Sequence, residues 1–330
     1  MKKNLIALAV LAASGVASAQ SSVSIYGIAD VWFGGVKAGG VTQTKVDSGG
    51  VSASRFGFKG VEDLGGGLKA NFVLEQGFNM DDGTQATAGQ AFSRQSYVGF
   101  SGGFGEVRLG RTMSPFDDIN PLAMATFESA LAPERNVWRT LAYNTNPANT
   151  IYYASPVISG FSGAASYSLG EDKNTVAPAF NNKAGRTASF NVKYEGGPVY
   201  VGFAYQAEKT AGLAQSQKFL RLNGSYDFGM VKLLADFGRV SDVGNVDGNK
   251  ATEWQLGADV PVNSALTLSA GYARSKDNAA LGNAKRSGVG FAANYALSKR
   301  TSVYGGVHAS KTIDTAIKTN IYAVGVRHTF

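Results

Sequence analysis

From Ser22 onward, apolar and polar residues alternate with a period of two. Val23, Ile25, Gly27, Ala29, Val31 and Phe33 fall on one face of the first segment, and Ser24, Tyr26, Asp30 and Trp32 on the other. Similar segments follow at about 51–62, 67–79, 92–101 and 104–112. After a break they resume at about 149–156, 160–169, 185–195, 198–208, 218–228, 230–241, 251–260, 265–276, 286–297, 300–311 and 320–330. The count is about sixteen, and each segment is close to the ten residues that a tilted membrane-crossing strand needs. Tight turns at 63–66, 102–103, 157–159, 196–197, 229, 261–264 and 298–299 alternate with longer polar stretches at 38–50, 80–91, 170–184 and 242–250. Short connections at one end and long ones at the other are the layout of an outer-membrane barrel, and an even strand count puts both termini at the short-turn, periplasmic end.

The apolar face says which side meets lipid. Val199, Val201, Phe203 and Tyr205 share one face of their segment, as do Val289, Phe291, Ala293, Tyr295 and Leu297; opposite faces carry Thr267, Ser269 and Gly271, or Asn223, Ser225 and Asp227. Apolar outside and polar inside requires water in the lumen. Sixteen strands leave a bore, whereas eight would be filled by side chains. The predicted fold class is therefore all-β: a 16-stranded antiparallel transmembrane β-barrel over residues 20–330.

The alternation stops over about 113–149. Residues 120–131 carry Leu, Ala, Met, Phe and Glu, which suit a helical turn or two. A connection this long is usually functional or disordered. Phe116, Ile119, Leu122, Met124, Phe127, Leu131 and Trp138 give it material to pack, so it is expected to fold into the bore and narrow it.

Composition removes other chemistries. The start reads MKKNLIALAVLAASGVASAQ: a charged beginning, a short apolar run and Ala17-Ser18-Ala19, which predict a signal peptide over 1–19 and export from the cytoplasm. There is no cysteine, and only His308 and His328 could supply imidazole, so neither a metal nor a cofactor is expected. The net charge of +7 falls to +5 once Lys2 and Lys3 leave, and no basic cluster suggests a nucleic-acid partner. Gly99-Phe100-Ser101-Gly102-Gly103 matches the G-x-S-x-G elbow of serine hydrolases. That chemistry needs a strand-to-helix turn and a nearby base, and here the turn joins two strands with the histidines over two hundred residues away. An enzyme is not expected.

Inward charges are the candidate functional groups. Phe56 and Phe58 facing lipid turn Arg55 and Lys59 toward the lumen; Phe72 and Leu74 facing out leave Lys69, Asn71 and Glu75 inside. An arginine facing lipid at mid-depth would cost about 2–4 kcal/mol. Inward bases and acids are nearly balanced along the whole lumen, so selectivity rests on the narrowest section, where the field is focused. Tyr26, Trp32, Tyr152, Tyr200 and Tyr304 also face inward, and in a row they would make a solute-specific channel, but they are scattered over distant strands.

The chain resembles the trimeric general porins of Gram-negative outer membranes, especially the betaproteobacterial type. The resemblance is carried by SVSIYGIAD near the mature start, SRFGFKGVEDLGGGLKA at 54–70, SRQSYVGFSGGFGEVRLGR at 93–111 and YAVGVRHTF ending on Phe330. It covers essentially the whole chain. It implies a homotrimer of sixteen-stranded barrels with the third external loop in each bore, acting as a passive diffusion channel for ions and small hydrophilic solutes. An arginine cluster on the wall then faces acids of the loop. Matching motif by motif, Arg55 and Arg94 take wall-arginine positions, with Arg135 or Arg139 as the third, while Asp117, Asp118 and Glu128 are the loop acids. Where many relatives carry a P-E-F-G-G-type segment, this chain has Thr126-Phe127-Glu128-Ser129. The resemblance also implies outer-membrane lipid, lipopolysaccharide and the assembly machinery as partners, the last reading Phe330. A mild anion preference is expected from Arg55, Arg94 and Arg135.

Overall fold

The computed structural model describes residues 22–171, 184–312 and 317–330. The predicted signal peptide and most of the 170–184 stretch lie outside the described residues. Strand propensity and, in all but β2, alternation give seventeen extended segments in one antiparallel sheet among the described residues. The first six are β1 (Ser22–Ala38), β2 (Val41–Ser48), β3 (Arg55–Gly65), β4 (Leu68–Gly77), β5 (Gln95–Gly102) and β6 (Gly105–Arg111). After the long connection come β7 (Thr150–Ala154), β8 (Phe161–Ser168), β9 (Arg186–Gly196), β10 (Val199–Lys209), β11 (Ser216–Asp227) and β12 (Lys232–Ser241). The last five are β13 (Lys250–Pro261), β14 (Leu266–Asp277), β15 (Lys285–Ala296), β16 (Thr301–Thr312) and β17 (Lys318–Thr329).

The seventeen segments make a closed barrel of sixteen strands, because β2 and β3 are one wall strand broken in the middle. β1 pairs with β2 through Val31–Ala38 and with β3 through Ser22–Ile28, both on the same side. Its other side pairs with β17 from Ile28 to Ala38 and closes the barrel. The 38–50 stretch, expected to be a long polar loop, is thus a tight turn at Gly39 and Gly40 followed by β2. Positive φ at both glycines supplies the turn.

Residues 49–54 bend inward between β2 and β3, and Asp30 of β1 holds the bend. Its carboxylate accepts the N–H groups of Gly50 (3.0 Å), Val51 (3.0 Å) and Ser52 (2.8 Å) and the hydroxyl of Tyr304 (2.5 Å). Asp30 is fully buried, and this full set of donors is what makes a buried carboxylate tolerable.

The outward faces are apolar and exposed, as at Phe56, Val98, Phe100, Leu109, Val201, Phe237, Phe291 and Val324. Inward faces carry the polar residues. Phe330 ends the chain at the seam: its N–H and C=O each bond Gly27, at 3.1 Å, and its ring occupies the space that a side chain at position 27 would need.

Candidate functional site: the constricted bore

The connection between β6 and β7 is the third on the long-loop end, and it folds into the barrel. It opens with α1 (Pro115–Ile119), capped by Ser114, whose side chain accepts the N–H of Asp117 at 3.3 Å; Pro115 takes the first helical position, where no N–H is needed. Single 3₁₀ turns follow at Asn120–Ala123, Thr126–Glu128 and Thr140–Ala142, in place of the one or two helical turns expected over 120–131. Thr126, Phe127 and Glu128 all have positive φ (54°, 62° and 56°), which costs about 1–2 kcal/mol for each non-glycine residue. Their left-handed turn is held at Thr126 by Ser269 Oγ (2.7 Å) and just beyond it at Ala130 by the carbonyl of Gly50 (2.6 Å).

Most of the loop lies against the wall from β9 to β16. Phe116, Ile119 and Tyr143 pack with Phe219 and Val240, and Leu131 with Trp32 and Tyr304. Side chains of the wall bond its backbone: Ser189 and Asn191 to Phe116 and Pro115, Asn223 to Ile119, and Arg286 to Val137. Glu253 accepts the N–H groups of Arg139 (2.6 Å) and Thr140 (3.0 Å) and the Thr140 hydroxyl. Gly288 and Gly290 leave room for the carbonyls of Pro133 and Leu131, which a Cβ there would strike. Arg221 and Asp236 form a fully buried ion pair beneath the loop.

The opposite wall stays open. Between the loop, the 49–54 bend and the ends of β3, β4 and β5 lies a cavity of about 640 Å³. Arg55, Arg94 and Arg135 line it, with Asp117 and Glu128. Glu75 of β4 sits behind the first two arginines: Arg94 Nε is 2.8 Å from one carboxylate oxygen, Arg55 Nε is 3.7 Å from the other, and Tyr26 donates at 2.9 Å. The Asp117 carboxyl is pushed up to about 6, chiefly by burial, against the pull of the Tyr143 hydroxyl bonded to it. Burial also raises Glu128, while Arg135 and the Asn120 amide (3.0 Å) lower it. The arrangement sets bases of the open wall and loop against half-buried acids across the cavity.

The profile of the Gram-negative porin family matches residues 6–315. The chain is 36% identical over 342 residues to outer membrane porin protein 32 of Delftia acidovorans, covering 99% of this chain and 95% of that protein. Its fold is similar to that of an anion-selective porin from Comamonas acidovorans (TM-score 0.79, 30% identity, 94% of this chain and 100% of that one). The chain belongs to the Gram-negative porin family. The fold alone is also shared with the trimer form of OmpT from Vibrio cholerae (TM-score 0.71, 15% identity, 94% of this chain and 99% of that one). The porin is a passive channel of the outer membrane.

Within this porin the sequence-derived candidates separate. Arg55 and Arg94 stand on the open wall side of the cavity. Arg135, expected on the wall, belongs to the loop itself: its guanidinium donates to the carbonyls of Ser129 and Glu128, both at 3.3 Å. It reaches the cavity from the loop side because the loop runs on to residue 149. Its rival Arg139 leaves the cavity for Asp277, bonding both carboxylate oxygens at 2.9 and 2.8 Å. Lys59 lies four residues below Arg55, about 13 Å along the strand, with its ammonium 5.2 Å from the Tyr26 ring centre and outside the cavity lining. Asp117 and Glu128 face the cavity, whereas Asp118 turns to the wall, bonded to Tyr152 (2.8 Å) and Asn191 (3.4 Å). Asp117 and Asp118 diverge because neighbours on a helix do not share a face.

The inward aromatics form no row along the cavity. Tyr26 bonds Glu75, Tyr152 bonds Asp118, Tyr200 bonds Asn223 and Tyr304 bonds Asp30, while Trp32 is buried with Leu131. Ser101 accepts from Asn71 at 3.4 Å, far from His328, which pairs with Thr301. Sequence reading missed Asp30 as the holder of the bend, and Arg327, whose Nε donates to Ser52 of that bend at 2.9 Å. Alternation offered a signal for Arg327, since Val326 and His328 face outward and leave position 327 facing in.

Proposed function

We propose that the bore passes small hydrophilic solutes by diffusion with a mild preference for anions. The observation that carries this reading is the cavity lining: three arginines (Arg55, Arg94 and Arg135) against two carboxylates (Asp117 and Glu128). Low-dielectric walls focus the resulting positive field on permeating ions. The anion-selective porin of Comamonas acidovorans, similar over 94% of this chain, supports the same sign. Lys59 extends the positive wall toward the periplasmic end, and Asp118 serves to hold the loop. The chain works as a homotrimer, as the trimer form of the OmpT fold suggests. Phe330, seated against Gly27 at the seam, serves as the ending read by the outer-membrane assembly machinery. Residues 1–19 act as the signal peptide that is removed on export.

The test is the zero-current potential across a planar bilayer in a dilute KCl gradient, for wild type and for Arg55→Ala with Arg94→Ala. Wild type should show an anion-selective sign, and the double variant should lose it and conduct more. A cation-selective wild type, or a double variant with unchanged potential, overturns the reading. The preference should fade near 1 M salt, where the Debye length is about 3 Å.

A further inference from the structure

Below the constriction the bore continues toward the short-turn end, and its open wall changes character there. From β3 to β8 the inward positions carry small, polar, phenolic or charged side chains, with two exceptions. These are Val61, two residues beyond Lys59 on β3, and Val73, two residues below Glu75 on β4, so both point into the lumen. Val61 is 45% exposed although it faces water and not lipid. A single exposed valine means little, but register makes these two contiguous with aromatic rings. Val73 pairs with Lys59 on one side and with Tyr97 on the other. Val61 sits diagonally below Val73, about 7–8 Å away and within side-chain reach.

The rings beside the valines are held. Tyr26 lies across Gly57, where an added Cβ would come within 2.8 Å of the ring, and its hydroxyl donates to Glu75. Tyr97 has the Arg108 guanidinium 5.0 Å from its ring centre, and Arg108 in turn bonds Glu106 at 2.7 Å. Lys59 differs from Arg108. It is exposed, its ammonium stands 5.2 Å from the Tyr26 ring centre, and it makes no ion pair among the described residues. A ring face attracts a cation without neutralising it, so Lys59 keeps its charge for an incoming anion. From Lys59 to Tyr97 the wall spans two strand gaps, about 10 Å, which suits one ring with a carboxylate at its end. A wholly hydrophilic anion would use the ammonium and leave the valines in water, and a neutral ring would do the reverse. The patch is open to the bore, so it binds weakly, as conduction requires.

We propose that this patch is a second solute station, near the short-turn end of the bore, that favours aryl carboxylates. The carboxylate meets Lys59, and the ring lies against Val61, Val73 and the two tyrosines. The station rests on the reading of the bore as the solute path. It needs none of the constriction arginines, which begin about 13 Å further up the strand at Arg55.

The experiment records single-channel KCl current while sodium benzoate, sodium acetate or benzamide is added, and measures saturation transfer from the detergent-purified protein to the benzoate ring protons. Benzoate should reduce the current at a lower concentration than acetate does, and the uncharged benzamide should reduce it least. Lys59→Gln should raise the half-blocking benzoate concentration about fivefold, the scale of one solvent-exposed ion pair. Val61→Thr with Val73→Thr keeps the side-chain shape and exchanges a methyl for a hydroxyl at each position. This variant should raise the half-blocking concentration about threefold and leave the acetate response in place. Arg55→Ala with Arg94→Ala should retain saturation transfer to benzoate. The proposal is overturned if benzoate acts no more strongly than acetate, if benzamide matches benzoate, or if either patch variant binds benzoate as wild type does. It is equally overturned if the arginine variant abolishes saturation transfer, because the ring would then sit in the constriction. A cation-selective wild type that still shows Lys59-dependent saturation transfer would sink the anion preference of the bore and leave this station standing.

Discussion

Glu253 on β13 and Glu75 on β4 both project inward from the wall, and they meet different surroundings. Glu253 is wholly buried and accepts from two backbone N–H groups of the loop, from Thr140 and from Ser275. Glu75 stands where the loop leaves the wall bare, next to two arginines whose other sides face the cavity. The same division runs through the lumen. Arg221 and Asp236 neutralise one another under the loop, and Arg139 is spent on Asp277, while Arg55 and Arg94 keep contact with the water path. Inward charges near balance in number; in the proposed reading those on the uncovered side act on a permeating ion, while Glu253 and Asp277 bond the loop.

The division is broken most forcefully by Glu253→Ala. Removing a buried carboxylate and orphaning its donors should cost about 1–3 kcal/mol for each donor left unpaired and loosen the loop. Heat unfolding should begin at a lower temperature, and single-channel records should flicker between conductance levels. A quiet trace with an unchanged midpoint would mean that Glu253 does not anchor the loop.

Glu134 sharpens the same side. It is buried in the loop–wall seam, with the Gln255 amide nitrogen turned toward it at 2.6 Å, and burial pushes its carboxyl up to about 8, with Asp236 adding to the rise and Arg221 and Arg135 opposing it. The folded protein therefore holds a proton that the unfolded chain, with an ordinary carboxyl near 4.5, releases. The stability so gained is complete below that ordinary value and is lost as pH climbs toward 8. Glu134→Gln should reduce this slope, so the melting midpoint should fall less from pH 5 to 8 than in wild type; parallel slopes in the two proteins would refute it.

The smallest effect belongs to the open side. Asp117 at about 6 is mostly ionised at pH 7.5 and mostly protonated at pH 5. Acidification should thus remove one negative charge from the cavity and strengthen anion preference by about 0.5 kcal/mol, roughly twofold in permeability ratio. Zero-current potentials of Asp117→Asn should lack this step between pH 7.5 and 5.

Much of the wall was readable because a strand with one lipid face repeats its instruction every second residue. Segments such as 265–276 and 300–311 lie within one residue of β14 and β16. The break between β2 and β3 was not readable, since it depends on Asp30, some twenty residues away in sequence, and on Tyr304, which lies 274 residues from Asp30. β2 was missed for a related reason: Val41–Ser48 is polar on both faces and carries no alternation to read. In the site, Arg55 followed from the phenylalanines beside it. Arg135 and Asp118 could not be placed, because a loop's side chains point where packing sends them, and the partners here come from β7, β9 and the loop's own turns.

The seam between β1 and β17 has a consequence for how the barrel is made. Its partners, such as Ile28 and Thr329, are among the most widely separated residues in the chain. β1 is synthesised first and must wait for the last strand, so the ring closes only when synthesis is complete. Until then the growing sheet has two open edges, each a template for pairing with another chain, and the loop-closure entropy of nearly the full length is still to be met. Completing the final strand removes both edges in one event. A chain shortened at its C-terminus should therefore be lost to aggregation or proteolysis rather than accumulate as a slightly smaller barrel.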